Sequence, residues 1–243
     1  MGSIVAFFGC GGKCGLSQTA LSLALCEGGR SSSKKVLLVY AQEALGDDYI
    51  RGIRVSFKDL RPFLKDRVWD SFDICLRASV PGAVSVIGGA DIAGSAPMFR
   101  PDDVCALIRE LSEAYDLVIC DCGSDISHGL SIGAMQSASS VYLVSDQSEK
   151  CLRRFQWLEP YFEKVGTVFS GTIIAGYQGG SPYDMAYLSE KFRMGRNAVH
   201  IIPFSEKGTL AETMRRPLMG FRERKYVSAV QTLAKRIEEE NGI

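Results

Sequence analysis

The chain has no net charge: 28 Lys and Arg residues balance 28 Asp and Glu. No whole-chain attraction to nucleic acid or to an anionic membrane is therefore expected, although local patches stay open. No apolar run approaches the ~20 residues that a membrane-spanning helix requires. The opening residues, MGSIVAFFG, lack the basic region of a secretory signal and run straight into an apolar stretch, so a cytoplasmic location is expected. Histidine is scarce, with two residues that stand apart in sequence, and no Ser-His-Asp or Cys-His arrangement can be read from spacing. Repeats, low-complexity segments and linkers are also missing, which leaves one domain over residues 1–243 as the simplest count. What remains is ordinary globular composition, 46% hydrophobic and 23% charged, in a chain long enough for a sizeable core. Eight cysteines without a secretory signal read as reduced thiols.

Strand and helix patterns alternate along the chain. Continuous apolar runs over Ser3–Gly9, Lys34–Tyr40, Ala83–Gly89, Asp116–Asp121, Ser140–Asp146, Gly171–Tyr177 and Ala198–Phe204 predict strands buried on both faces. Between them, helices are predicted from Ser17 to a Gly28-Gly29 stop, near Phe57–Asp66, from Pro101 to Tyr115, over Ser148–Val165 and over Ser181–Phe192. The tail from Glu223 to Glu239 reads as an amphipathic helix with Tyr226, Val230, Leu233 and Ile237 on one stripe. This alternation predicts an α/β fold with a mainly parallel, twisted central sheet and helices on both faces.

The stretch FFGCGGKCGLSQTA, Phe7–Ala20, stands between the first strand and the first helix. Its glycines allow backbone N–H groups to approach an anion closely. A phosphate loop also places a lysine just before a Ser or Thr; here Gly15-Leu16-Ser17 holds that place, and the lysine is Leu16. On the loop alone, a glycine-rich turn made for tightness fits equally well.

The layout resembles the MinD/ParA family of deviant Walker ATPases, a branch of the P-loop NTPases with a three-layer sandwich fold, and the likeness extends over almost the whole chain. The family's first motif, K-G-G-V-G-K-T-T with a following x-A-x-x-L-A helix, is matched by Gly15, Ser17, Ala20, Leu23 and Ala24. Cys10-Gly11-Gly12 matches its first half if the loop is one residue longer; otherwise Gly11 takes the place of the signature lysine and Lys13 that of a glycine. YDLVICDCGSD resembles the second phosphate-side motif, with Asp121 at the magnesium-ordering aspartate. KKVLLVY resembles the K-V-L-L-V-D strand, with Tyr40 and Gln42 in place of aspartates, the first of which serves the attacking water in the family. HIIPFSEKGTLAETMRRPLM resembles the segment beside the adenine, with Pro203, Ala211, Pro217 and Leu218 in place; the family's adenine-reading Asn has no match near Gly176 and Tyr177. Within the family the style is that of the TadZ/CpaE group of pilus-assembly localisation proteins, through Cys10-Gly11-Gly12, Gly15-x-Ser17 and Gly46-Asp47. Members of that group usually carry an N-terminal receiver-like domain, whereas this chain starts at the ATPase strand.

The resemblance implies ATP and Mg²⁺ as ligands, held by Gly11, Gly12, Lys13, Cys14, Gly15, Leu16, Ser17 and Gln18, with Pro203 and Phe204 flanking the base. Ser17 is implied as a direct magnesium ligand and Asp121 as one acting through water. It implies an ATP-dependent homodimer and a protein partner in a pilus, secretion or positioning system. With Leu16 and Tyr40 where a lysine and an aspartate belong, hydrolysis is expected to be weak or absent, at best a slow ATPase. Two alternatives stay open: a slow but genuine ParA-type ATPase, and a pseudo-ATPase interaction protein that binds no nucleotide. Lys13 is expected to be a solvated loop lysine, with a phosphate contact as the alternative.

Cys10, Cys14, Cys120 and Cys122 are placed on neighbouring strand ends by this layout, but their spacings are not those of zinc sites, and packing is the expectation. His200 is expected to be structural within its strand, and His128 to lie at the surface of the loop after Asp121. RRFQWLEPYFEK and MRRPLMGFRERKY read as solvated helix faces. The acidic end of the last helix argues against a basic membrane-binding helix there.

Overall fold

A computed structural model describes residues 2–30, 33–79 and 84–242. The apolar runs become seven strands: β1 (Ser3–Gly9), β2 (Val36–Tyr40), β3 (Ser85–Ile87), β4 (Leu117–Asp121), β5 (Ser140–Ser145), β6 (Gly171–Tyr177) and β7 (Val199–Pro203). They form one sheet in the order β3-β2-β4-β1-β5-β6-β7, every pair parallel. The helices are α1 (Leu16–Arg30), α2 (Phe57–Leu64), α3 (Ser71–Ala78), α4 (Pro101–Leu111), α5 (Gly129–Ser137), α6 (Glu149–Val165), α7 (Met185–Lys191), α8 (Gly208–Met214) and α9 (Arg224–Asn241). The expected strand start at Ala83 lies outside the described residues.

The central strand shows why these runs carry no polar alternation. Phe7 stacks on Tyr142 of β5, whose hydroxyl donates to Glu240 of α9. Its neighbour Phe8 packs edge-on against Phe162 of α6. Successive side chains thus enter opposite layers, and both layers are dry. The predicted tail stripe of Tyr226, Val230, Leu233 and Ile237 is buried as expected.

Several helix boundaries depart from the sequence reading. α7 starts at Met185, four residues after the expected Ser181. α1 continues through Gly28 and Gly29 to Arg30. The reason is tertiary: Glu27, 1% exposed, accepts from Lys34 at 2.5 Å, and Lys34 and Arg30 reach Glu238 of α9 at 2.7 and 2.6 Å. This four-residue ion cluster holds the last turn in place against the glycines' weak propensity. α4 stops at Leu111, four residues before the expected end at Tyr115. α3, α5 and α8 were not read from sequence. α3 is only two turns long and is started by Asp70, whose carboxylate accepts from the Phe72 and Asp73 amides. α5 is buried nearly all round, so it has no amphipathic period to detect.

His128 is not at the surface as expected but 1% exposed, at the N-cap of α5. Its Nδ1 accepts from the Leu130 amide at 3.2 Å, its Nε2 pairs with Ser95 Oγ at 3.0 Å, and the ring stacks on Phe99. An Nδ1 acceptor requires the neutral ring. Burial lowers the His128 pKa below the usual value, against the opposing pull of Asp125 and Glu43. The folded pKa is therefore below the unfolded value of ~6.5. The associated stability is complete above that value and is lost as pH falls through the folded pKa. His128→Asn, which keeps an N-cap acceptor, should cost ~1–2 kcal/mol in urea unfolding at pH 7.5. That cost should shrink toward pH 5. An equal cost at both pH values would show that the ring does not titrate against folding.

Candidate functional site

The chain leaves β1 toward β2 on one side, whereas β4 is followed by β5 on the other side of β1. The carboxyl end of β1 is thus a topological switch point, where open α/β sheets place their crevice. Main-chain bonds hold this rim together: Gly9 N–H donates to Gly123 O at 2.8 Å, Cys10 N–H to Val144 O at 2.8 Å, and Ala41 N–H to Asp121 O at 2.7 Å.

A cleft of about 530 Å³ opens above this rim. Gly11, Gly12, Lys13, Cys14, Gly15, Leu16, Ser17 and Gln18 all line it, and Pro203 and Phe204 line its far side. Every loop and base-side position expected from sequence therefore lies on one cavity. Asp121 sits behind this lining and is fully buried. Gln42, Asp48, Tyr49, Asp146, Glu212 and Tyr226 also line the cleft. Of these, Gln42 had been singled out as a motif position and Tyr226 as part of the last helix's apolar stripe. Asp48, Tyr49, Asp146 and Glu212 come from loops and a helix whose position over the cleft depends on the fold, and no local pattern marks them as cleft residues.

The loop between β1 and α1 has the geometry of an anion cradle. Gly12 has open space around it, and α1 begins directly over the cleft at Leu16. The amides of Ser17 and Gln18 lie in the first turn and have no intrahelical acceptor. The helix dipole adds partial positive charge there. Gly15 is the tight point: its φ is +86°, and a Cβ there would lie 2.7 Å from the Ala175 side chain. Lys13 also holds a left-handed φ, +63°, and is exposed.

Leu16 does not reach out as a lysine at that place would. It is buried, and with Cys14 it packs beneath Gly9, where an added Cβ would lie 3.1 Å from Cys14 Sγ and 3.3 Å from Leu16 Cδ2. Asp121 accepts from the Gly123 amide at 3.0 Å and from Gln42 Nε2 at 3.4 Å, and the nearby Ser17 hydroxyl favours its ionised form. Burial raises the Asp121 pKa to about 6; Ser17 and the Gly123 amide oppose the rise, and nearby Asp48 adds to it. Tyr40 ends β2 beside Asp121 and is fully buried. Its hydroxyl has no hydrogen-bond partner, and burial pushes its pKa far up. Gly46, at φ +87°, lies on the Tyr40 ring so closely that a Cβ there would be 2.3 Å from Cγ.

The thiols near the cleft are buried among apolar side chains. Cys10 and Cys14 interact electrostatically with Cys151 of α6, while Cys120 and Cys122 face each other and Asp121. All five are buried in the core, in keeping with the expected packing role. Burial raises all of them, Cys14 to about 11, so these thiols stay protonated and unreactive. No group of three or more His, Cys, Asp or Glu suited to a metal occurs among the described residues. A second cavity, about 280 Å³, lies beside α6 and is bounded by Arg154, Trp157 and Tyr161.

No protein-family model and no curated protein matches the chain. Solved structures do. A ParA family ATPase from Chlorobium tepidum TLS superposes with a TM-score of 0.81 at 17% identity, over 97% of this chain and 99% of that one. The septum site-determining protein MinD of Pyrococcus horikoshii OT3, complexed with Mg-ADP, gives 0.77 at 19% identity, over 98% and 97%. The fold is that of the MinD/ParA ATPases. Cobyrinic acid a,c-diamide synthase from Mycobacterium smegmatis, with bound ADP and magnesium, gives 0.71 at 15% identity, over 100% and 97%. The MinD/ParA-type fold is thus shared with a synthase, and fold alone does not select an activity.

Gly15 and Gly12 separate tightness from openness in the loop. Gly15→Ala should lower stability by ~1–3 kcal/mol, through left-handed strain and the clash with Ala175. Gly12→Ala should leave the thermal midpoint within a degree or so of wild type, since ~0.5 kcal/mol is the usual scale for a surface change without such a feature. Equal losses in both variants would contradict this loop geometry.

Proposed function

We propose that the chain binds ATP with magnesium in the cleft and serves as a nucleotide-dependent localisation or scaffold protein, with weak or absent hydrolysis. The observation that carries this reading is an intact anion cradle beside two missing groups. Gly11–Gly15, the first turn of α1 and the Ser17–Asp121 pair form the cradle. Leu16 supplies packing where a lysine would supply charge, and Tyr40 supplies a buried ring where the resemblance puts an aspartate. Phosphoryl transfer depends on positioning and charge neutralisation, so losing both groups removes turnover before binding. The Mg-ADP and ADP-magnesium complexes of the structural neighbours support this ligand class.

The residues fit a magnesium nucleotide better than a bare anion. Among the described residues that line the cleft, Lys13 is the one cation, against the carboxylates of Asp48, Asp146 and Glu212. Magnesium would supply the neutralising charge, with Ser17 as its direct ligand and Asp121 acting through water. The buried Nε2 of Gln18 has no protein partner and is a donor at the cleft wall. Pro203 and Phe204 are assigned to the base side. The left-handed φ of Lys13 favours the reading in which it replaces a glycine of the loop, with no inserted residue. The likeness of the loop to the TadZ/CpaE style supports a partner in a pilus-assembly or secretion system and an ATP-dependent homodimer. The carboxylate-rich lining favours, as a second reading, an interaction protein that has kept the fold and takes no nucleotide.

Calorimetric titration separates the two readings. ATP with magnesium should bind, and binding should collapse when magnesium is chelated. Ser17→Ala should weaken it about tenfold or more, the scale of a hydrogen bond to a charged group. Glu212→Gln should tighten it roughly fivefold at low ionic strength, as one repulsive charge is removed. No binding at millimolar ATP-magnesium would establish the second reading. Phosphate release well above buffer, lost in Asp121→Ala, would contradict the assignment of weak turnover.

A further inference from the structure

Two walls of the cleft come from segments far apart in sequence. Asp48 and Tyr49 belong to the loop between β2 and α2, and Gly208 and Glu212 to the stretch that runs from β7 through α8. The loop is seated from below. Leu45 O accepts from the Gly89 amide at 3.1 Å, the Gly46 backbone lies on the Tyr40 ring, and Tyr49, Ile50 and Ile53 pack against the core. α8 is held far less firmly. Of its seven residues Ala211 alone is buried, while Leu210 and Met214 are 43% and 47% exposed. A helix this short, with so little apolar burial, draws little stability from packing.

The chain on either side of α8 is anchored. Before the helix, Ser205 Oγ donates to Glu223 at 2.5 Å; after it, the Leu218 amide donates to Gln18 Oε1 on α1 at 3.2 Å. Gly208 starts the helix in open space, where an added Cβ would meet nothing within 4 Å. The remaining hold on α8 is Arg215, its C-terminal cap, in a left-handed conformation with φ +49°. Arg215 Nε and Nη2 donate to Asp47 O at 3.1 and 2.8 Å, and Nη2 also donates to the Asp47 carboxylate. Among the described residues, no other hydrogen bond or ion pair joins 46–54 to 205–222. The Arg215 and Asp47 side chains are 44% and 43% exposed and neither lines the cleft, so the contact bridges the two walls at the outer surface.

We infer that α8 is a lid on the cleft and that the Arg215–Asp47 contact is its latch. When the latch opens, α8 swings between its two anchors, and ligand enters and leaves by that route. That the ligand is ATP with magnesium rests on the function proposed above; the latch does not. Lids are drawn from the least stable parts of a fold, and they gate exchange without touching the reacting groups. Because the pair lies outside the cleft lining, it governs access and leaves the contacts to ligand alone. An exposed ion pair shifts an equilibrium by up to about fivefold and is screened by salt. That strength suits a latch that must open in every cycle of binding and release.

Stopped-flow binding of N-methylanthraniloyl-ATP with magnesium to the full chain tests the lid. Arg215→Gln should raise the association and dissociation rate constants together, each about fivefold, and leave Kd within about twofold of wild type. Arg215→Lys, which keeps the charge and loses the fork of donors, should fall between the two. The ratio of variant to wild-type rates should approach one as salt is raised, because salt weakens the latch only where it exists. A merely structural role would instead change Kd through dissociation alone. Hydrogen exchange without nucleotide gives a second reading: in Arg215→Gln the amides of 209–214 should exchange about fivefold faster, and those of α1 at the wild-type rate. If no nucleotide binds, the ligand assignment falls and hydrogen exchange alone decides the lid. Unchanged exchange in α8 would overturn the inference. So would unchanged nucleotide rates, or a Kd shift carried by dissociation only.

Discussion

The buried carboxyl of Asp121 is the constraint around which the cleft is built. It ends β4, the strand between β1 and β2, and so lies in register with both Phe7 and Tyr40. A carboxyl in such a place must be satisfied by hydrogen bonds or become neutral. The Gly123 amide and Gln42 supply the bonds, Ser17 at the start of α1 further favours the ionised carboxyl, and each comes from a different segment of the rim. Satisfying one group therefore fixes the start of α1 relative to the loop after β4. The cradle inherits its shape from that relation.

The strands were legible because parallel strands buried on both faces leave long apolar runs, and all seven were found within a few residues, β3 apart from Ala83, which is not described. The helix ends were less so. Gly28 and Gly29 carry a stop signal, yet the buried Glu27 and its partners in α9 override it, and those partners are about 200 residues away in sequence. α5 escaped for the opposite reason, since nearly complete burial erases the period that marks a surface helix. The loop residues of the cleft were readable because their order is local. Asp48, Asp146 and Glu212 were not, because three distant segments bring them there. His128 illustrates the same limit: its neighbours in sequence are polar, and its burial comes from Phe99 and Ser95.

Net charge also proved a coarse guide. Zero overall is compatible with a carboxylate-lined cleft at one end of the strands and an even mixture of acids and bases at the sheet edge. The difference arises from how the acids are used. Near α2 and α3, Asp59, Asp70 and Glu110 accept hydrogen bonds within the segment and keep their charge beside exposed basic neighbours. Counting charges by sequence misses this division of labour.

Gly46 has a wider bearing than its size suggests. Its backbone lies on the face of Tyr40, in a conformation that a side chain would strain and at a distance that excludes one. The two positions therefore form a unit: the ring fills the space, and the glycine permits the ring. A short side chain in place of Tyr40 would leave a void beneath Gly46, and any side chain at Gly46 would collide with the ring. The two positions are thus coupled: a substitution at one sets what the other tolerates, and their effects on stability do not add.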